Sequence, residues 1–525
     1  MVILSRVLGL IRQRILANYF DPESLSLFFA AFRLPDIIFE VLVFGTFSSA
    51  FIPVFTKTLK EGERRAWKLA GKVVTIGLAI FIVVSGIFAF FAHPIYTVIS
   101  PGFSDSETET IAQIARVLFT AQGFFVVSYV LTGVLESLRR FLVPALAPIF
   151  YNIGIIAGTV LLSEKFGLMG PAIGVVVGAC CHFLIQYPLS HKLGFRFNLN
   201  LKPDGDLKKI GQLAFPRVID LSFDQLGKTV ELFLASLISK ASYTYFTFAN
   251  TLQLLPVTLF GTSLAKAVLP LLSREEENKP EFRRILLTAI YQAIFFTLPL
   301  SATLIVLRVP IIRLVYGTRI FDWEATVQTG VVLSFFAIGI VSQTLMAILA
   351  RSFFALHDTK TPVKVSFLGL GLLIFGNLLM VLVFNLPVWA LAASFTLSTL
   401  VEASILLILI NRRIGEVVTK SFIIRFVKIF TAALISGFLM YFLIKFFDMR
   451  FFFNTRYVAN LLLLTSGTLI IGLLAYLLIC ILFKVPEVYY FLNLVKKAVL
   501  GRELPKVPSK ESEPLTPTSS DTTAS

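Results

Sequence analysis

The feature that most limits what this chain can fold into is a succession of apolar runs. Each is about as long as, or longer than, the roughly 20 residues an α-helix needs to cross a bilayer. They fall at about 2–19, 25–56, 67–98, 109–138, 143–163, 168–190, 211–239, 242–273, 282–316, 324–352, 362–384, 387–410, 421–447 and 457–483. That predicts about 14 transmembrane helices. The runs are too long and too continuously apolar for β-barrel strands. Composition agrees: 56% of the 525 residues are apolar and 15% charged, and mean hydropathy is +0.84. A water-soluble globule of that make-up would expose large apolar patches and aggregate. Cys180, Cys181 and Cys480 lie in apolar runs and read as packing residues, not as a disulfide framework.

Lysine and arginine number 47 against 31 aspartate and glutamate, a net charge of +16. The excess sits in short loops, such as KTLKEGERRAWK (57–68), SLRRF (137–141), REEENKPEFRR (274–284) and NRRIGEVVTK (411–420). This positive-inside pattern removes nucleic acid as a partner and places the N-terminus in the cytoplasm. With an even number of spans, the C-terminus is cytoplasmic too. The acidic or neutral loops FDPES (20–24) and ISPGFSDSETE (99–109) then lie outside. The first span carries Arg6, Arg12 and Arg14 and no small-residue cleavage site, so it does not read as a signal peptide. Prolines 35, 53, 256 and 270 are expected to bend their helices. Residues 484–501 mix aromatics with Lys496 and Lys497 and are expected to lie on the inner membrane surface. Residues 503–525, rich in Ser, Thr and Pro, read as a disordered tail.

A weak internal repeat is visible. Arg6-Val7-Leu8 resembles Arg217-Val218-Ile219, and Phe44-Gly45-Thr46 recurs as Phe260-Gly261-Thr262, each of the latter followed by a proline, Pro53 and Pro270. The offset, about 211–216 residues, spans six helices, so both copies share one orientation. The expected fold is an all-α membrane protein of two six-helix lobes related by a pseudo-twofold axis, plus two extra C-terminal helices. The expected divisions are lobe 1–192, linker 193–210, lobe 211–413, two added helices in 414–485, and an amphipathic segment and tail in 486–525.

Ionisable groups are costly in hydrocarbon, so they usually face a bundle interior or a wet cavity. In span 7, Arg217, Asp220, Asp224, Lys228 and Glu231 fall within roughly an 80° arc. In span 2, Arg33, Asp36 and Glu40 fall within roughly a 60° arc. Span 8 adds Lys266. Arg116, His182, Glu402 and Lys428 are the main charges expected to be buried in the other spans. Two readings stand: a structural ladder of salt bridges, with Asp224 and Lys228 paired at i,i+4, or a hydrated cavity between the lobes. Span 1 has three arginines and no acid, which suits an anionic ligand and phosphate oxygens in particular. Arg14 could instead snorkel to the outer interface near Tyr19. There is no GxSxG, Walker loop, HExxH or CxxC, and the four histidines are scattered, so neither an enzyme nor a metal site is expected.

The sequence resembles the MurJ/MviN family of lipid II flippases, within the multidrug/oligosaccharidyl-lipid/polysaccharide exporter superfamily. The resemblance rests on SRVLGLIRQRILANYF (5–20), FFAAFRLPDI (28–37), FGTFSSAFIPVF (44–55), RRFLVPALAPIFYNIGIIAG (139–158), QYPLSHKLGF (186–195), LPLLSREEE (269–277) and FFALHDTKTPVKVS (353–366). It implies transport of an undecaprenyl-pyrophosphate-linked disaccharide-pentapeptide from the inner to the outer leaflet by alternating access, in the bacterial inner membrane. It implies that peptidoglycan polymerases use the product, and that a groove near spans 13 and 14 takes the lipid tail.

Carried onto this chain, the family's two span-1 arginines match Arg6 and Arg12, and a basic residue early in its span 2 matches Arg33. Its two further cavity arginines fall on Phe39, beside Glu40, and on Thr251, beside Asn250. The substrate-binding set expected is Arg6, Arg12, Arg33, Arg217, Lys228 and Lys266, with Asp36, Glu40, Asp220, Asp224 and Asn250 as polar cavity residues. A sodium site would use Asp224, Asn377 and Thr396. No cofactor is expected beyond sodium or membrane-potential coupling. The partners expected are the lipid-linked oligosaccharide, membrane lipids and the peptidoglycan synthesis machinery, with the protein a monomer. Alternatives are export of another polyprenyl-linked glycan, drug/cation antiport, or a non-transporting divergent homologue.

Overall fold

The computed structural model describes residues 2–41, 50–198, 205–450 and 457–499, with backbone alone for Arg217 and Asp220. Every regular element among them is helical. The first half comprises α1 (Val2–Tyr19), α2 (Pro22–Ala31), α3 (Arg33–Phe39), α4 (Ile52–Glu61), α5 (Glu63–Phe90), α6 (Ala92–Ile99), α7 (Asp105–Ser137), α8 (Leu142–Phe166) and α9 (Met169–Lys192). The second comprises α10 (Gly205–Ile238), α11 (Ser242–Pro256), α12 (Ser263–Arg274), α13 (Lys279–Val306), α14 (Arg308–Val315), α15 (Trp323–Ile338), α16 (Ile340–Ala355), α17 (Lys360–Leu378) and α18 (Trp389–Ile414). Outside the repeat follow α19 (Lys420–Arg450), α20 (Val458–Leu482) and α21 (Pro486–Val499).

The repeat is written in the lengths. The 28-residue α5 leads into the 8-residue α6, and the 28-residue α13 leads into the 8-residue α14. Spans 2 and 8 are both interrupted. Span 2 breaks at Phe32 and takes π-helical turns at 40–41 and 50–51, while α11 and α12 are joined by the π-helical Val257–Thr262 right after Pro256. A wider π turn leaves backbone groups free and so marks a site of strain or function. The Phe44-Gly45-Thr46 half of the repeat, and the tail from 503 onward, lie outside the described residues.

Among the described residues, eleven helical passes are long and apolar enough to cross a membrane. The three other spans read from the sequence are α1, α2–α4 and α10, which carry the charged stripes. Outward faces are greasy: Phe438, Phe442 and Leu474 on α19 and α20 are 64%, 67% and 60% exposed. A bilayer, not water, solvates such a surface. Arg116, expected to be buried, is instead exposed in the N-terminal half of α7, where it pairs with Glu109 at 2.9 Å. Its long stem lets the guanidinium reach a partner two turns away at the helix end.

Helices α8 and α9 meet backbone to backbone. A Cβ on Gly154 would stand 2.4 Å from the Gly178 Cα, and one on Gly158 2.4 Å from the Gly174 Cα. Small residues at four-residue spacing let two membrane helices touch where no hydrophobic force pushes them together. The 356–359 turn is also tightly built. His357 adopts φ 57, and the Asp358 carboxylate accepts from the backbone of Lys360 and Thr361 at 3.1 and 3.0 Å. It also accepts from the Thr361 hydroxyl at 2.8 Å and from Arg413 at 2.5 Å. Partial burial works to raise this carboxyl, but the bonds from Thr361 and Arg413 outweigh it and hold it below the ordinary 3.8.

Two outcomes follow. Gly174→Leu should lower stability by about 1–3 kcal/mol through overpacking, read as a fall in the thermal midpoint of the purified protein; an unchanged midpoint would remove the close contact. The Asp358 contribution is present above the ordinary carboxylate range and is lost as pH falls through its lowered value. Asp358→Asn should therefore unfold with a shallower acid limb than wild type; identical acid limbs would contradict this.

Candidate functional site between the two halves

At one end of the bundle the halves are sealed. The Gln13 amide donates to the Thr251 hydroxyl at 3.0 Å and accepts from the Tyr316 hydroxyl at 2.8 Å. Arg14 donates to the backbone carbonyls of Leu314 and Val315, so it closes the seal rather than snorkelling outward. The Thr318 hydroxyl donates to the Ala17 carbonyl at 2.8 Å. The Ser26 and Thr244 hydroxyls lie 2.9 Å apart, and Thr244 also donates to the Pro22 carbonyl at 2.8 Å. Phe29 meets Phe248 edge-on at 5.7 Å. All the cross-half hydrogen bonds of α1 described here come from its C-terminal half. Toward its other end α1 rests on α8, where Asn152 reaches the Ser5 carbonyl at 3.5 Å, and Arg6 is exposed.

Behind the seal lie polar groups deep in the bundle that solvent still reaches: Arg12, Asp36, Tyr129, Tyr151 and Tyr243. That combination marks a wet interior lined by both halves. Arg12 sits near Tyr151 of α8 and Tyr316 after α14, with no acidic partner among the described residues. Arg33 and Lys228 are engaged. Arg33 is buried and bonds Gln225 of α10, which in turn bonds Glu40. Lys228 sits 3.2 Å from Glu40 and 2.8 Å from Asp224. Asp36 accepts from Gln122 at 2.8 Å, and Glu231 is buried beside this group. Spans 2 and 7 thus form a real ladder, and span 1 stands apart from it.

The remaining expected residues are scattered. Lys266 is exposed, and the Asn250 side-chain Oδ1 accepts from the Gln253 amide at 2.9 Å. Phe39 is buried against Phe125 and Tyr129, with ring centroids 6.0 and 5.2 Å away. Asn377 is fully buried with neither amide atom bonded, whereas the Thr396 hydroxyl donates to the Phe335 carbonyl at 2.8 Å. Asp224, the third member of that set, is exposed and bound to Lys228. Among the described residues, no cluster of three or more His, Cys, Asp or Glu could hold a metal ion. Gln13, Gln225 and Tyr316 organise the interface, yet no motif marks them. Gln225 follows Asp224 in sequence but falls roughly 60° outside the arc of the span 7 stripe, so periodicity does not single it out either.

A groove of about 640 Å³ runs between α13–α14 and α19–α20. Its walls include Ala302, Val306, Leu434, Phe438 and Leu461, and its rim carries Arg308, Arg313 and Lys445.

Paired halves, interrupted second spans and charged helices facing a shared wet interior define a membrane transporter of the two-lobe type. The comparisons are specific. The sequence profile described as "Lipid II flippase MurJ" matches residues 16–463, and the chain belongs to that family. It is similar to the lipid II flippase MurJ of Thermosipho africanus (28% identity over 498 residues, 94% of this chain and 97% of the relative). It is also similar to the probable lipid II flippase MurJ of Aquifex aeolicus (27% over 427 residues, 80% and 83%). Among solved structures it matches a lipid II flippase MurJ in an inward closed conformation, with TM-score 0.76 and 24% identity over 92% of this chain and 98% of that one. An inward-facing multidrug resistance MATE family transporter matches with TM-score 0.65 and 15% identity over 78% and 94%. These structural matches establish the fold.

The Ser26–Thr244 contact gives a direct test of the seal. Cysteines at both positions should cross-link readily in the resting protein under mild oxidation, and the cross-link should abolish transport. Failure to cross-link, with each single cysteine reactive, would show the seal open.

Proposed function

We propose that this protein is a flippase of the bacterial inner membrane. It carries undecaprenyl-pyrophosphate-linked peptidoglycan precursor, lipid II, from the inner to the outer leaflet by alternating access between the two halves. The substrate is the one that the names of its relatives carry. The observation that carries the reading is Arg12: a guanidinium deep in a wet interior, beside Tyr151 and Tyr316, with no acid to neutralise it. An uncompensated buried cation is unfavourable unless a ligand answers it, and a guanidinium matches phosphate oxygens in a bidentate fork. Arg6 lies about 9 Å further along α1 and is exposed, on the side away from the seal, where Arg65 of α5 meets Asp206 of α10 at 2.8 Å. The loop charges support a cytoplasmic position for that side and for both termini. The pyrophosphate then engages Arg6 and Arg12, while Arg33 and Lys228 hold the halves together. The groove beside α19 and α20 takes the lipid tail, its apolar walls matching an isoprenoid chain. No nucleotide motif exists, so an ion gradient or the membrane potential supplies the energy.

A charge-assisted bond to phosphate contributes about 1.5–3 kcal/mol, roughly a ten- to hundredfold change in occupancy. In a strain depleted of its own flippase, wild type should restore outer-leaflet lipid II. Arg12→Ala and Arg6→Ala should each lose at least about tenfold of that at equal membrane abundance. Full restoration by Arg12→Ala would overturn the reading. One observation favours a second reading, export of a cationic compound: around Arg33 and Lys228 the acids Asp36, Glu40, Asp224 and Glu231 are in excess. It predicts drug resistance that survives Arg12→Ala and disappears in Glu40→Gln.

A further inference from the structure

One acidic side chain lies outside the polar interior and has no role in the scheme above. Glu402, on α18, is 8% exposed and turned toward α17. Its carboxyl lies flat on the α17 backbone at Gly369: a Cβ there would stand 2.0 Å from Glu402 Oε1 and 2.1 Å from its Cδ. The α17 side chains around it, Phe367, Leu368 and Leu372, face outward and are apolar and exposed. Among the described side chains no cation answers it. The charged groups on the elements packed around it are Arg351 on α16, Glu324 on α15, Lys360 and Lys364 on α17, Arg412 and Arg413 on α18, and Asp206, Lys208, Lys209, Asp224, Lys228 and Glu231 on α10, with Arg217 and Asp220 of α10 described in backbone alone. None of the described groups pairs with it. Its one polar partner is the Ser398 hydroxyl.

The hydrogen count at Ser398 decides the state of Glu402. Ser398 Oγ lies 2.7 Å from the Gly369 carbonyl oxygen and 3.2 Å from Glu402 Oε1. A serine hydroxyl has one hydrogen to give. The Gly369 carbonyl can only accept, and it holds the shorter contact, so that hydrogen is spoken for. The contact with Oε1 is then a hydrogen bond only if Oε1–H donates to Ser398 Oγ. An ionised carboxylate would set lone pair against lone pair in a dry, low-dielectric site with no counter-charge.

We infer that Glu402 is a proton-binding site within the membrane, and that the closed contact of α17 with α18 exists only while the proton is bound. The chain Glu402 Oε1–H to Ser398 Oγ–H to the Gly369 carbonyl ties the two helices together. The proton leaves only when α17 and α18 part and water enters; it then passes to that water, and the carboxylate left behind is hydrated. Helix separation and proton release are therefore one event, which couples the second half of the protein to the proton gradient whatever cargo it carries.

Infrared spectroscopy of the purified protein in lipid nanodiscs at neutral pH tests this directly. The wild-type minus Glu402→Gln difference should show the C=O stretch of a protonated carboxylic acid, shifted on exchange into D2O. Carboxylate stretching bands in its place would overturn the inference. Ser398→Ala supplies a second variant should Glu402→Gln fail to fold. It removes the acceptor, so the protonated C=O band should persist and move to higher frequency; an unmoved band would overturn the hydrogen-bond chain. Cysteines placed across α17 and α18 near 369 and 402 should cross-link less as pH rises in wild type. In Glu402→Gln, which keeps an N–H donor at every pH, cross-linking should be flat. Equal pH dependence in the two proteins would remove the coupling.

Discussion

A charge in hydrocarbon must be answered by another polar group or by water, and this constraint arranges the whole molecule. The three charged spans cannot face lipid, so α1, α2–α4 and α10 turn inward toward one another and the other helices are packed around them. The halves consequently meet through polar atoms while the periphery, including α19 and α20, is almost purely apolar. Within the interior the charges divide. Those of spans 2 and 7 find one another through Gln225, Glu40 and Lys228. Arg12 lies near the hydroxyls of Tyr151 and Tyr316.

This division gives the two readings open at the outset a place each. The ladder of ion pairs exists, and it belongs to spans 2 and 7. The unanswered positive charge also exists, and it belongs to span 1. The positions where the family carries further arginines are used differently. Phe39 joins an aromatic cluster, and Thr251 takes the Gln13 amide. The basic side chain without an acidic partner among the described residues of the interior, Arg12, thus lies near the start of the chain.

Run length and loop charge made the all-helical membrane fold legible, because apolar length is dictated by bilayer thickness. The charged stripes were legible because helical periodicity states which residues share a face. Periodicity is silent on what that face meets. It could pair Asp224 with Lys228 along one helix, but not Glu40 with Lys228 across two, nor Arg33 with Gln225. It placed Arg116 in a buried run, where side-chain length and a nearby Glu109 carried it to the surface. The glycines of α8 and α9 gave no hydropathy signal, since their meaning lies in the absence of a side chain. Glu402 was visible as an isolated acid, but its partner is a backbone carbonyl reached through Ser398, which no spacing rule reveals.

The seal deserves a thermodynamic reading of its own. Its contacts are mostly neutral: amide to hydroxyl, hydroxyl to hydroxyl, and hydroxyl to carbonyl, with Arg14 resting on backbone oxygens and not on an acid. Each exchanges for water on parting with a net loss of about 0.5–1.5 kcal/mol. Closure is then favoured by only a few kcal/mol, within what one anionic ligand can reverse through unequal affinity for the two states. One ion pair, Lys240 with Glu107 at 2.7 Å, also joins the halves at this end, and its strength falls as ionic strength rises. The hydroxyl and amide contacts beside it open much the same in dilute or salty surroundings, so salt loosens the clasp only in part.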